Sequence, residues 1–281
     1  MTDNKDIFSQ DHLTIIRPSR GWQSFKVKEL WAYRGLLAVF TWRDIKLRYR
    51  QTVLGFAWAI VPPLMMVLVF SIVFGRIADV PSGDAPYPIF VFSALIPWTF
   101  FSNSLTGASN SMIGAVGLVQ KIYFPRLIVP LAAVGAWLID LLVASVILAS
   151  MMVYYDINFS LTLLILPLAI LGISLLAVGL GTALAAASVS YRDFRYAVPF
   201  FLQFWLFITP VLYAPSFLPE RFQWILDVNP MTGFIQTFRA GIFGLNFDVG
   251  SLSMSFAAAL VVLLLSVAYF ERAEQSFADV I

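Results

Sequence analysis

The sequence contains no cysteine and a single histidine, His12. Without cysteine the chain has no disulfide, no thiolate metal ligand and no cysteine nucleophile. None of the five lysines completes the Gly-x-x-x-x-Gly-Lys-Ser/Thr loop that cradles nucleotide phosphates. These absences argue against an enzyme or an ATPase. They also predict that this chain binds no cofactor or metal itself.

Charged side chains are scarce, at 12 % of the 281 residues against 60 % hydrophobic positions. A typical soluble domain has about twice that charged fraction. The near balance of 18 lysines and arginines with 16 acidic residues argues against a nucleic-acid partner, which needs many cations to neutralise its phosphates. The composition therefore indicates an integral membrane protein in contact with membrane lipids.

Six apolar runs are each long enough for a membrane helix, which needs roughly 20 residues to cross a bilayer core. They cover residues 54–74, 88–113, 127–153, 161–189, 197–213 and 252–270. Prolines at positions 62, 63, 97 and 130 could kink the first three runs. The fourth run is rich in glycine and alanine, which favours close helix packing. The predicted fold class is an all-α integral membrane protein with six transmembrane helices.

The distribution of lysine and arginine predicts the orientation, because these residues are retained on the cytoplasmic side of a membrane. Fifteen lie in the segments that share a side with the N-terminus, and three lie in the alternate loops. We therefore expect a multi-pass protein with both termini cytoplasmic. Residues 1–28 form a polar N-terminal extension, and residues 271–281 form the C-terminal tail.

Residues 29–50, immediately before the first run, combine aromatic and basic side chains, among them Trp31, Arg34, Phe40 and Trp42. This pattern predicts an amphipathic interfacial helix whose aromatic rings lie at headgroup depth while its cations meet lipid phosphates. A simple surface anchor fits the pattern as well as a functional element does.

The segment between runs five and six is external by the charge count, yet strongly apolar. Asn229 as N-cap and Pro230 as first residue predict a helix start. Large apolar residues then recur on one helical face: Met231, Phe234, Ile235, Phe238 and Ile242. About 14 helical residues cannot cross a bilayer, so we predict a short external re-entrant helix pair. Its second member covers residues 219–226, with Phe222 and Trp224. An amphipathic cap without a gating role is the alternative.

The loop between runs two and three predicts a compact knob. Gly114 and Gly117 loosen the end of run two, and Pro125 stops a short helix over residues 119–124. The side chains of residues 122–124 are larger and more apolar than a solvated turn requires, which favours a docking surface for another protein. Packing on the membrane surface is the alternative.

Asp140 is the one charged residue inside the six runs. Intramembrane carboxylates are costly and are functional by default. A proton relay needs more than one charged group, so the sequence favours a structural or interhelical role for Asp140.

Aromatic residues are dense in runs two and five. Their faces can stack on sugar rings, although packed or lipid-facing rings are the commoner explanation for any single one. The candidate channel aromatics are Phe70, Phe92, Trp98, Phe101, Phe201, Phe204 and Trp205.

Several ordered motifs together carry a resemblance over roughly residues 25–281. They are RYRQTVLGFAWAIVPPL (48–64), KIYFPRLIVP (121–130), YRDFRY (191–196), NPMTGFIQTFRAGIFG (229–244) and FERAEQSFADVI (270–281). The set closely resembles the permease subunits of polysaccharide-exporting ABC transporters of the ABC-2 type, which move O-antigen, teichoic acid or capsule chains.

This resemblance implies a homodimer with two copies of an ABC ATPase that binds ATP and Mg²⁺. The cargo would be an undecaprenyl-linked polysaccharide, O-antigen above all, exported across the bacterial inner membrane. Residues 29–44 would be a gate helix, and residues 219–243 would be external gate helices. The knob would be the ATPase-coupling element, with Gly117, Lys121, Ile122, Tyr123, Phe124 and Pro125. An exporter of another glycan or a small amphiphile, and an ATPase-free scaffold, are the alternatives.

Overall fold

The computed structural model describes residues 27–50, 57, 60–78, 80, 85–191, 193–274 and 277. All regular structure in these residues is helical, which confirms the all-α prediction for this part of the chain. Residues 1–26 of the predicted extension lie outside the described residues. So do residues 54–56, 58 and 59 of the first predicted span, and residues 275, 276 and 278–281 of the tail.

The helices have the following bounds: α1 Val27–Ala32, α2 Arg34–Tyr49, α3 Val61–Phe70, α4 Tyr87–Gly114, α5 Val116–Val119, α6 Ile128–Tyr154, α7 Leu166–Ser190, α8 Phe194–Ile208, α9 Gln223–Val228, α10 Pro230–Phe243 and α11 Val249–Glu274. A π-helical stretch, Ser71–Ile77, continues α3. One 3₁₀ turn, Leu161–Ile165, leads into α7, and two more, Pro215–Phe217 and Glu220–Phe222, precede α9.

Four helices in the described residues are long and apolar enough to cross a membrane: Tyr87–Gly114, Ile128–Tyr154, Leu161–Ser190 and Val249–Glu274. They coincide with predicted runs two, three, four and six. Two shorter apolar helices, Val61–Ile77 and Phe194–Ile208, occupy runs one and five. At 1.5 Å per residue these two are only about 25 and 22 Å long.

Proline explains where the first of the two shorter helices, α3, begins and where the second, α8, ends. Pro62 and Pro63 lie in the first turn of α3, where a missing backbone N–H costs nothing, so they start the helix instead of kinking it. Run five was predicted to continue to residue 213, but α8 ends at Ile208. Thr209 precedes Pro210 and has the extended backbone that proline imposes on the residue before it.

The long helix α4 forms the centre of the protein and packs against α3, α6, α7, α8 and α10. The predicted role of run four is confirmed, because α7 packs closely on both α4 and α11. A Cβ added at Gly181 would lie 2.6 Å from the Cβ of Ala108 on α4. One added at Gly179 would lie 3.0 Å from the backbone of Leu263 on α11. These glycines therefore set the distance between the three helices.

We expect Gly172→Ala to destabilise the protein. A Cβ at this position of α7 would lie 2.2 Å from the ring of Phe234, which is fully buried on α10. Overpacking of this kind costs about 1–3 kcal/mol, more than the roughly 1 kcal/mol that alanine gains over glycine in a helix. Gly114→Ala is the matched control, because nothing lies within 4 Å of its added Cβ. Thermal unfolding in detergent should show a lower Tm for Gly172→Ala only.

Candidate functional site

The knob predicted between runs two and three is present, but its helix is displaced. The short helix α5 covers Val116–Val119 and not residues 119–124. Phe124 precedes Pro125, which disfavours a helical backbone at that position and leaves residues 123–125 irregular. Of the predicted coupling residues, Gly117, Lys121, Ile122 and Tyr123 are exposed, and the Tyr123 side chain is 63 % exposed. Pro125 is half-buried.

Phe124 is the exception within the knob, because it is buried in a second apolar core, the knob cluster. The fully or nearly fully buried members of this cluster are Phe40, Met112, Ala115, Phe124, Ile128, Val129, Ala132, Ala185, Ala186, Phe270 and Phe277. Phe124 meets the ring of Phe40 edge-on at 5.4 Å. The knob is thereby fixed to α2, α6, α7 and the end of α11.

The C-terminal end of the chain contributes directly to the knob cluster. Phe277 is 1 % exposed and packs edge-on against Phe270 at 5.7 Å. Arg126, just after the knob, donates to the backbone carbonyl of Glu274 at 2.9 Å and lies 3.5 Å from its carboxylate. The tail therefore helps to hold the knob in place.

The predicted helix over residues 29–50 is interrupted at Tyr33, whose backbone leaves the helical region between α1 and α2. Trp31, Arg34 and Trp42 are exposed, whereas Phe40 is buried in the knob cluster. The helix α2 packs along α6, and a Cβ at Gly135 of α6 would lie 3.3 Å from the Thr41 hydroxyl. One face of α2 therefore contacts protein, while Trp42 on the same helix remains exposed.

Asp140 has two partners at the end of α2, which the sequence did not reveal. Its carboxylate accepts hydrogen bonds from the Arg48 guanidinium and the Tyr49 hydroxyl. The guanidinium also lies 3.3 Å from the centroid of the Trp137 ring, a close cation–π contact. Burial, together with Asp140, raises the pKa of Tyr49 to about 12. Through these contacts Asp140 ties α2 to the middle of α6, the kind of interhelical contact that the sequence favours.

We expect Asp140→Leu to lower the free energy of unfolding by about 1–3 kcal/mol, since it leaves the partly buried Arg48 without its charged acceptor. The side chains of the pair are 24 % and 19 % exposed, so solvent reduces the effect. The double variant Arg48→Met with Asp140→Leu should recover part of the loss, because an apolar pair needs no partner. Thermal unfolding of the two single variants and the double variant gives the three losses of stability. If the loss in the double variant equals the sum of the losses in Arg48→Met and Asp140→Leu, the pairing is contradicted.

The predicted helix start at Asn229 is confirmed. Its side-chain oxygen accepts from the backbone N–H of Met231 at 3.1 Å and from the indole N–H of Trp205 at 3.0 Å. Its amide nitrogen donates to the hydroxyl of Thr209 at 2.9 Å. Asn229 therefore caps α10 and also joins it to the end of α8.

The apolar face predicted on α10 is confirmed as buried, with Phe234 and Phe238 fully enclosed. The helix lies against α4, α7 and α11, so it is packed into the protein on most sides. The shorter predicted helix is present as α9, Gln223–Val228, preceded by the turn Glu220–Phe222. Phe222 and Trp224 are exposed. The two helices thus differ sharply in burial.

Arg239 is a functional candidate that the sequence analysis missed. Its guanidinium is buried on α10 and donates to the carbonyls of Pro210 at 3.2 Å, Val211 at 3.0 Å and Phe90 at 3.4 Å. It also lies 3.8 Å from the centroid of the Phe90 ring. Burial lowers the pKa of Arg239 to about 9, so the group stays protonated at neutral pH. In the sequence, Arg239 is marked only by being the single charged residue within the apolar segment 230–243.

The candidate channel aromatics divide into a buried and an exposed set. Phe92, Trp98 and Phe101 are buried within the chain, and Phe70 packs against the same core. Trp205 contacts the rings of Phe101 at 5.2 Å and Trp98 at 6.3 Å, besides its bond to Asn229. These side chains hold α4, α8 and α10 together.

The remaining aromatics form an uncovered face on α8, hereafter the aromatic face. Its members are Tyr196, Phe200, Phe201, Phe204, Phe207 and Ile208. The opposite side of α8 packs on α4 and α7. The rings of Phe200 and Phe204 meet edge-on, with their centroids 4.7 Å apart and an interplanar angle of 63°. A single copy of the chain therefore presents a continuous apolar, aromatic surface.

Known proteins resemble this chain along most of its length. The O-antigen export system permease protein of Myxococcus xanthus is 29 % identical over 258 residues, 90 % of this chain and 98 % of that protein. The protein of the same description from Klebsiella pneumoniae is 26 % identical over 247 residues, 88 % of this chain and 95 % of that protein. The polysialic acid transport protein of Escherichia coli is 24 % identical over 244 residues, with coverages of 83 % and 92 %.

A protein family described as ABC-2 type transporter matches residues 35–243. The matched range runs from the start of α2 to the end of α10 and includes the Asp140 contacts, the knob, α9 and α10. Since it spans well over half of the chain, we conclude that this protein belongs to the ABC-2 type transporter family.

Proposed function

We propose that this chain is the permease of an ATP-driven exporter of a lipid-linked polysaccharide in the bacterial inner membrane. Two copies of the chain would enclose the path, and two copies of a separate ABC ATPase would bind ATP and Mg²⁺. The similarity to permeases named for O-antigen export makes O-antigen the favoured cargo. We propose that it is exported while linked to undecaprenyl. Other glycans, small amphiphiles and an ATPase-free scaffold are the alternatives.

The aromatic face is the observation that carries this proposal. In the described residues, one copy has a tightly packed centre around α4 and leaves one side of α8 uncovered. A second copy facing this side would bring two aromatic surfaces opposite each other. Aromatic rings offer sugar rings a surface without directional hydrogen bonds, so a chain can slide along it.

The proposed topology has six spans with both termini cytoplasmic. The two shorter helices, Val61–Ile77 and Phe194–Ile208, would complete the set with the four long ones. Short spans are accommodated by local thinning of the bilayer or by association with another subunit. In this topology α9 and α10 form the external gate, α1 and α2 lie at the cytoplasmic interface as the gate helix, and the knob faces the ATPase.

The proposed path is tested by replacing Phe201 and Phe204 with alanine. Both side chains are more than half exposed, so we expect near-normal folding but a lower rate of export, with the largest deficit for long chains. The measurement is the length distribution of exported polysaccharide on gels. Phe159→Ala, an equally exposed phenylalanine outside the aromatic face, is the matched control. Normal long-chain export in the double variant would assign the aromatic face to lipid contact.

A further inference from the structure

A cavity of about 490 Å³ lies between α3, α4 and α6, close to the Arg48–Asp140 pair. Its apolar walls include Pro62 and Met66 of α3, Ile96 and Phe100 of α4, and Trp137 and Ala144 of α6. The helix α3 packs along α4 but not closely on α6, and the cavity is the gap that this leaves. A volume of this size is typical of a small-molecule site.

One part of the cavity wall is polar. Arg48, Tyr49 and Asp140 line it, together with Thr99 and Asn103 of α4. Arg48 donates through one nitrogen, Nη1, to Asp140 and to the carbonyl of Ala136. A guanidinium carries five N–H donors, more than these two acceptors use, so Arg48 can also donate to a ligand. Arg48 also belongs to α2, a helix with several more cations than its single Asp44 balances.

The surroundings of the cavity are hydrocarbon-like. Met65 and Met66 on α3 and Leu142 on α6 are about half exposed or more, within helices of almost purely apolar sequence. An apolar gap between such helices is filled most favourably by another apolar chain, because its walls lose dispersion contacts when it is empty. A ligand for this site therefore needs a hydrocarbon chain and a polar end with acceptor oxygens.

We propose that the cavity binds one acyl chain of an anionic membrane phospholipid, separate from the exported cargo. The acyl chain lies against Met66, Trp137 and Ala144, and the phosphate or ester oxygens accept hydrogen bonds from the Arg48 guanidinium. The basic helix α2 favours an anionic head group. The lipid fills the gap between α3 and α6 and so fixes the position of α3. This site goes beyond the export function and does not depend on it.

The test uses the full chain reconstituted in vesicles of phosphatidylglycerol that carry a photoreactive diazirine in one acyl chain. After irradiation, mass spectrometry should place the label on residues 62–66 and 137–144. Ala144→Trp, which fills the cavity, should reduce this labelling severalfold. Ala257→Trp, at an exposed alanine on α11, is the matched control and should leave it unchanged. Ala144→Leu replaces the first variant if tryptophan prevents folding.

The proposal would be overturned if neither Ala144→Trp nor Ala144→Leu reduces the labelling of these two segments. A polyprenyl phosphate added in amounts equal to the photoreactive lipid should not displace the label. Displacement would overturn the assignment to phospholipid and give the site to the lipid carrier of the cargo.

Discussion

Export is expected to fall severely when Arg239 is replaced by alanine, while the chain still inserts into the membrane. The guanidinium holds the carbonyls of Pro210 and Val211, which follow α8, and the carbonyl of Phe90 on α4. Removing it leaves the buried carbonyls of Pro210 and Val211 without this donor, at a cost of about 3 kcal/mol or more, whereas the Phe90 carbonyl still accepts from the Ser93 hydroxyl. That energy shifts the balance between anchored and released α10 about 100-fold.

The expected structural consequence is the release of α10, which can be measured independently of export. Because the chain has no cysteine, Thr232→Cys introduces a single thiol at a buried position of α10. A water-soluble maleimide should label this thiol slowly in the parent and much faster when Arg239→Ala is added. Arg221→Ala, at an exposed arginine in the segment between α8 and α10, is the matched control.

Arg239→Lys should recover only part of the export activity. Lysine keeps the charge, but a single ammonium group does not reproduce the planar fork of donors or the stacking on Phe90. If Arg239→Ala leaves both the rate of maleimide labelling at Thr232→Cys and the rate of export unchanged, α10 is anchored by its apolar contacts alone.

Tyr123→Asp should abolish coupling to the ATPase while leaving the chain folded. The side chain is exposed at the tip of the knob, so the carboxylate has no cost until a partner protein covers it. In an interface it would be buried without a partner, at a cost of several kcal/mol. Co-purification of the ATPase and stimulation of its activity by the permease are the two measurements.

The neighbouring residue provides a comparison within the same knob. Phe124→Asp places a carboxylate in the knob cluster, so this variant should unfold at lower temperature, unlike Tyr123→Asp. Gln120→Asp, an exposed position earlier in the knob, controls for added charge alone. Retained ATPase binding in Tyr123→Asp would show that the tip of the knob is not the docking surface.

The long helices could be predicted from the sequence because each long apolar run has one stable solution in a bilayer, a helix with all its backbone groups paired. The helices over residues 87–114, 128–154 and 161–190 coincide with the predicted runs to within a residue or so. The end of α8 at Ile208 does not follow from the apolar pattern, because apolar residues continue past Thr209. The helix ends there because Pro210 imposes an extended backbone on Thr209. Hydrophobicity alone does not mark such an end.

The contacts of the candidate site were much less predictable. Asp140 stands out in the sequence, but its partner Arg48 is 92 positions away, in a basic segment whose composition favours contacts with lipid phosphates. Phe124 and Tyr123 look equally suited to docking in the sequence, and the packing of Phe40 separates them. Such pairings depend on which helices meet, and one sequence does not contain that information.

The central claim is that this chain acts as a pair of permease subunits with a pair of separate ATPases. The most direct test is to purify the tagged chain in mild detergent from its native host and to measure the mass of the intact complex. We predict two copies of this chain with two copies of a nucleotide-binding ATPase. Recovery of the chain without an ATPase, under conditions in which a control ABC transporter stays assembled, would contradict the account.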